Sequence, residues 1–139
     1  QVSLIKTSGN PDGHVILRGG KKPNYDAANV ALCEKELSVQ GLEPGIVIDC
    51  SHGNSNKDYR RQPLVAENVF DQIIEGNKSI IGIMLESHIN AGNQSTNGPK
   101  ESLKYGVSVT DACIDFNDTA LLLANATDKL NGVLKKRLS

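Results

Sequence analysis

The stretch Ile46-Val47-Ile48-Asp49-Cys50-Ser51-His52-Gly53-Asn54 decides the fold. Its first three residues are β-branched and apolar, with no in–out alternation. A short run of that kind reads as a strand covered on both faces, as in a parallel sheet. Polar residues and a glycine follow at once, so the strand ends at a polar rim. The same layout recurs on either side. His14-Val15-Ile16-Leu17 leads into Arg18-Gly19-Gly20, and Ile80-Ile81-Gly82-Ile83-Met84-Leu85 leads into Glu86-Ser87-His88. A weaker run, Val107-Ser108-Val109-Thr110, leads into Asp111-Ala112-Cys113.

Helical patterns separate these runs. Asp26 is placed to cap a helix through Ala27, Val30, Ala31 and Leu37 that Gly41 stops. Pro63 suits the first turn of a helix with Val65, Val69, Phe70, Ile73 and Ile74 on its apolar side, ending at Gly76. A last helix is predicted from Asp118 or Thr119, carrying Leu122, Leu123, Ala126, Leu130, Val133 and Leu134. Residues 90–104 are rich in Gly, Asn, Ser and Pro. They read as a long surface loop with room for one short helical turn, and such loops are often functional.

Strand–helix alternation at roughly 30 residues per unit means βαβ units and a parallel sheet. Four such units fit an open doubly wound sheet or half of a closed barrel, and periodicity does not choose between them. No G-x-G-x-x-G follows any strand, which weakens a dinucleotide-binding reading, and Arg18-Gly19-Gly20-Lys21 is not a Walker motif.

Composition sets outer bounds. The 139 residues are 22% charged and 38% hydrophobic with a net charge of −1, an ordinary globular balance. That charge gives no global attraction to nucleic acid or anionic lipid. Lys135, Lys136 and Arg137 read as a solvated helix C-terminus, where cations suit the macrodipole. Cys33, Cys50 and Cys113 are an odd set without framework spacing, so reduced thiols in a cytoplasmic protein are expected. No run approaches the roughly 20 apolar residues of a membrane span. The start at Gln1 lacks an initiator Met and a signal-peptide pattern, and is expected to continue a longer chain.

The rim carries the candidate chemistry, because parallel α/β folds place their sites at the C-terminal ends of strands. His52, Glu86 and Asp111 each follow a different run. An imidazole and two carboxylates suit a borderline divalent cation, Mn, Fe, Co or Zn, better than Ca. Spacing alone also admits three unrelated hydrogen-bonding groups. Arg18 is either an anion clamp or the salt-bridge partner of a carboxylate such as Asp49. Gly19 and Gly20 would allow close backbone approach. His88, two residues past Glu86, is a further ligand or, the preferred reading, a hydrogen-bonding loop residue. His14 lies at the far end of its strand and reads as structural. Cys50 and Cys113 read as small core residues, and Lys21 and Lys22 as a solvated loop.

Four motifs in order then resemble one family, the first-type 3-deoxy-D-arabino-heptulosonate 7-phosphate (DAHP) synthases, in wording near the microbial and fungal enzymes. They are Ile16-Leu17-Arg18-Gly19-Gly20-Lys21 with Pro23-Asn24-Tyr25-Asp26, and Ile48 through Lys57. Gly82 through His88 with Gly92-Asn93-Gln94-Ser95, and Tyr105 through Ile114, complete the set. The resemblance implies a (β/α)8 TIM barrel, of which residues 1–139 supply strands 5–8 as the C-terminal half of one domain. It implies a divalent cation held by His52, Glu86 and Asp111, with His52 and Asp111 counted as catalytic. It also implies that Arg18 grips the phosphate of phosphoenolpyruvate. The family's metal-site cysteine lies on the first barrel strand, and none of Cys33, Cys50 or Cys113 matches it. Asp115-Phe116 stands where the family usually carries Gly-Trp, a change expected to alter packing under the last helix.

The implied activity is a transferase reaction condensing phosphoenolpyruvate with erythrose 4-phosphate, the first step toward chorismate and the aromatic amino acids. The implied partners are both substrates and the N-terminal half of the barrel or another copy, in a homo-oligomer when intact. Nucleic acid and membrane are not expected partners, and the chain alone is expected to be inactive. Two alternatives remain at this stage: a 3-deoxy-octulosonate 8-phosphate synthase, and a non-catalytic assembly or regulatory half-barrel.

Overall fold

A computed structural model describes residues 2–10 and 12–137. Three strands, β1 (Val15–Leu17), β2 (Ile46–Asp49) and β3 (Ile80–Met84), form one parallel sheet in the order β1-β2-β3. Val15 pairs with Ile46 and Leu17 with Ile48, and Asp49 pairs with Met84. The connections carry α1 (Ala27–Val39) and α2 (Gln62–Ile74), the latter preceded by a 3-10 turn at Tyr59–Arg61. Helix α3 (Phe116–Arg137) closes the described chain. Sequential parallel strands joined by helices give the architecture of a partial (β/α)8 barrel.

One face of the sheet packs on the helices. Ile46, Ile48 and Ile80 meet Val30 of α1, Val65, Val69 and Phe70 of α2, and Leu122 and Leu130 of α3, all buried. Each isoleucine or phenylalanine so buried contributes about 1.5–3 kcal/mol. Val15 and Leu17 pack against the same core, while Ile16, on the other face, is 53% exposed. The sequence predicts cover on both faces. Among the described residues only the helical side is fully covered, and the opposite side is the one a closed barrel turns inward.

The capping signals hold. Asp26 accepts from the backbone N–H groups of Ala28 and Asn29, each at 3.1 Å, and from the Asn29 side chain at 2.6 Å. Those bonds, the Asn29 side-chain bond foremost, keep the Asp26 carboxyl below its ordinary value of 3.8. A depressed carboxylate stabilises the fold above its unfolded pKa, and loses that contribution as pH falls through the lower folded value. Asp26→Ala should cost about 1 kcal/mol and Asp26→Asn much less, since Asn caps as well. Urea denaturation at neutral pH measures both, and the Asp26→Ala deficit should shrink in acid.

Two elements differ from expectation. Helix α3 begins at Phe116, before the predicted Asp118 or Thr119. Asp115 explains the shift: its carboxylate accepts from Asp118 N at 2.8 Å and its carbonyl from Thr119 Oγ1 at 2.7 Å. Phe116 itself is exposed. Residues 107–110 form no strand. The backbone beside the end of β3 is instead that of Ile114, which donates to Glu86 O at 3.0 Å and accepts from His88 N at 3.0 Å. Residues 107–110 are held largely by amides. Gln94 Nε2 donates to Val107 O at 2.9 Å, Asn93 Nδ2 to Thr110 O at 2.9 Å, and Gln94 N to Ser108 O at 2.8 Å. The expected short helical turn in the long loop is present at Lys100–Ser102.

Candidate metal centre

Beyond the ends of β2 and β3, one atom each from His52, Glu86 and Asp111 lies within 4.8 Å of the others. His52 Nε2 is 3.6 Å from Glu86 Oε1 and 3.7 Å from Asp111 Oδ2. Those separations exceed hydrogen-bond reach. They approach the spacing of donors around one cation bound at about 2.0–2.2 Å.

The surroundings prepare each donor. Asp49, buried at the end of β2, lies 2.7 Å from His52 Nδ1 and so directs Nε2 toward the carboxylates. Asp49 also accepts from Ser51 N at 2.8 Å. Ser51 Oγ donates to Glu86 Oε2 at 2.6 Å, leaving Oε1 to face His52. His52 sits at φ +39, a left-handed conformation held by a bond from Lys57 N to His52 O at 2.8 Å. Asp111 is the most open of the three, its side chain 59% exposed, and it arrives from a loop instead of closing a strand. The donor set, its spacing and its hydrogen-bonded backing fit a divalent cation with coordination positions to spare.

The loop after β1 is locked to the loop after β2. Gly53 N donates to Arg18 O at 3.0 Å. Asn54 Nδ2 donates to Leu17 O at 2.9 Å and to Asp49 O at 2.8 Å. Asn54 Oδ1 accepts from Asn24 N at 2.8 Å, and Asn24 Oδ1 from Gly19 N at 2.7 Å. Gly19 lies at φ +75, and a Cβ there would stand 2.5 Å from the Gly53 carbonyl carbon. Its partner in close approach is therefore protein backbone, while Gly20 has open space around it. This lock fixes the Arg18 backbone against the loop that carries His52. Asp49 is committed to His52, and Arg18 makes no ion pair among the described residues.

The other candidates fall outside the cluster. His88 Nδ1 accepts from Ile89 N at 2.8 Å. His14 lies beyond the opposite end of β1, away from the rim. Burial, with the Asp49 charge added, pushes the Cys50 thiol up to about 12, and burial raises Cys113, so neither is a thiolate at neutral pH. Sequence reading did not find Ser51, Asn54, Gln62 or the orienting role of Asp49. The Asp49-x-x-His52 spacing is a usable signal for the last. The others are polar residues whose burial only the fold reveals.

A parallel α/β half-barrel with a cation-competent cluster at its C-terminal rim is the class that fold and site define. The chain belongs to the DAHP synthetase I family, whose sequence profile matches residues 1–124. It is 63% identical over its whole length to the Tyr-sensitive phospho-2-dehydro-3-deoxyheptonate aldolase of Enterobacter agglomerans, covering 65% of that protein. It is 61% identical to the Tyr-sensitive enzyme of Escherichia coli K12, covering 39% of it. The Phe-sensitive enzyme of the same strain is 48% identical over 94% of this chain. A solved structure of the phospho-2-dehydro-3-deoxyheptonate aldolase from Francisella tularensis SCHU S4 superposes with a TM-score of 0.84. It is 42% identical, and the match covers 90% of this chain and 36% of that one. The chain thus spans between about a third and two thirds of the length of these relatives. Among the described residues no helix is long and apolar enough to cross a membrane.

Proposed function

We propose that residues 1–139 supply the C-terminal, metal-bearing half of a (β/α)8 barrel that condenses phosphoenolpyruvate with erythrose 4-phosphate. The convergence of His52, Glu86 and Asp111 in a member of this family carries the reading. The open sheet face at Ile16 supports the half-barrel reading, because another half-barrel would cover it. That cover comes from the N-terminal half or from a second copy, and the intact enzyme is a homo-oligomer. The products are DAHP and phosphate: C3 of phosphoenolpyruvate bonds to the aldehyde carbon, water adds at C2, and the C2–O bond to phosphate breaks.

His52, Glu86 and Asp111 hold the divalent cation, with Mn, Fe, Co and Zn the suitable group. A bound cation supplies Lewis-acid polarisation of the aldehyde. Asp49 keeps His52 in its ligating orientation, and Ser51 does the same for Glu86. Arg18, whose backbone the Gly19–Gly53 contact fixes against the His52 loop, grips the phosphate of phosphoenolpyruvate through its guanidinium fork. Orientation of two anionic substrates accounts for much of the acceleration.

The full-length protein should form heptulosonate from erythrose 4-phosphate when phosphoenolpyruvate and Mn(II) are present, and should turn over arabinose 5-phosphate far more slowly. Equal use of both aldehydes, or a preference for arabinose 5-phosphate, would contradict this and favour an octulosonate synthase. The 139-residue chain assayed alone should give no product, since Arg18 is the one substrate-phosphate grip assigned to it.

A further inference from the structure

A buried carboxamide outside the donor set reaches the backbone of a candidate ligand. Gln62, the first residue of α2, is 0% exposed. Its Oε1 accepts from Glu86 N at 2.7 Å, and its Nε2 donates to Glu86 O at 3.0 Å. The amide thus mimics a neighbouring strand just past the end of β3. Glu86 O accepts a second bond, from Ile114 N at 3.0 Å. Ile114 lies three residues past Asp111, so a single peptide group joins α2, the end of β3 and the segment bearing Asp111.

We infer that Gln62 is a positioning residue for the cation site: it fixes the Glu86 peptide and, through Glu86 O, the register of the Asp111 segment relative to His52. Asp111 needs such an anchor because residues 107–110 pair with no strand and the Asp111 side chain is mostly exposed. A buried amide without partners is costly, and a fully satisfied one rigidifies its surroundings. Both side-chain hydrogen bonds of Gln62 go to Glu86, so the rigidity is delivered to the ligand's backbone. This rests on the cation reading of the cluster, and the test separates the two.

The test is Gln62→Met in the full-length protein, which keeps side-chain length and removes both hydrogen bonds. Mn(II) affinity is measured by titration, and the visible absorption of the Co(II)-loaded protein reports ligand geometry. Partners behind metal ligands are commonly worth about 10–100-fold in affinity. Gln62→Met should therefore weaken Mn(II) binding by roughly tenfold or more and alter the Co(II) bands. The control is Val69→Ala, a core truncation on the same helix, which should lower the denaturation midpoint and leave both metal readouts unchanged. Gln62→Asn, a methylene too short to make both bonds, should give a smaller loss and covers the case in which Gln62→Met does not fold. Unchanged Mn(II) affinity and Co(II) spectrum in a folded Gln62 variant would overturn the inference. Wild-type protein that binds no Mn(II) would overturn the cation reading itself.

Discussion

Replacing His52 should remove tight cation binding and, with it, turnover. Its Nε2 is the one nitrogen donor of the cluster, 3.6 Å and 3.7 Å from the two carboxylate oxygens. Without the imidazole two hard oxygen donors remain, a pair that suits Mg or Ca and holds a borderline metal weakly. Loss of an outer partner already costs about 10–100-fold, so loss of a direct donor should cost on the order of a hundredfold or more in Kd for Mn(II). The choice of replacement matters because His52 lies at φ +39. Asn is among the residues that adopt this left-handed conformation most readily, whereas Ala holds it less well. His52→Asn thus separates lost ligation from lost stability. Metal content after dialysis and heptulosonate formation are the readouts, and retention of both in His52→Asn would end the assignment.

Gly19→Ala should be the most damaging one-carbon substitution at the rim. The backbone at φ +75 costs an alanine about 1–2 kcal/mol. The new Cβ would also stand 2.5 Å from Gly53 C and 2.7 Å from Asn54 N, both backbone atoms that cannot swing aside. Forced separation of packed groups adds about 1–3 kcal/mol. Together these give a loss of roughly 2–5 kcal/mol in urea denaturation. Gly20→Ala, with open space around it, is the matched control and should be near neutral. Equal behaviour of the two variants would show that the loops after β1 and β2 are not locked together. Because that lock also places Arg18, the affinity for phosphoenolpyruvate should fall more than Mn(II) affinity does.

The strongest parts of the fold were legible because burial leaves a periodic mark. The β2 boundaries match the run Ile46–Asp49, and Asp26, Gly41, Pro63 and Gly76 punctuate α1 and α2 as capping rules require. Val107 and Val109 look strand-like in the sequence, whereas residues 107–110 are held by the side chains of Asn93 and Gln94. An amide that substitutes for a strand carries no local signature. The start of α3 is ambiguous in the sequence for a smaller reason: Asp115 and Asp118 are both good caps, and hydrogen-bond geometry selects the earlier one.

The candidate site was legible in its donors and opaque in its supports. His52, Glu86 and Asp111 announce themselves as polar residues soon after apolar runs, and the structure gathers them. Ser51, Asn54 and Gln62 do not, because a polar residue in a sequence gives no hint that it will be buried. Whether Arg18 met a carboxylate or stayed free also depended on three dimensions: buried Asp49 is taken by His52 Nδ1 and Ser51 N, and Arg18 makes no ion pair among the described residues.

Anomalous diffraction from crystals of the full-length protein grown with Mn(II) bears on all of this at once. A single peak should lie within about 2.0–2.3 Å of His52 Nε2 and of one oxygen each from Glu86 and Asp111. A peak elsewhere, or an ordered cluster that takes no Mn(II) at saturating concentration, would contradict the account.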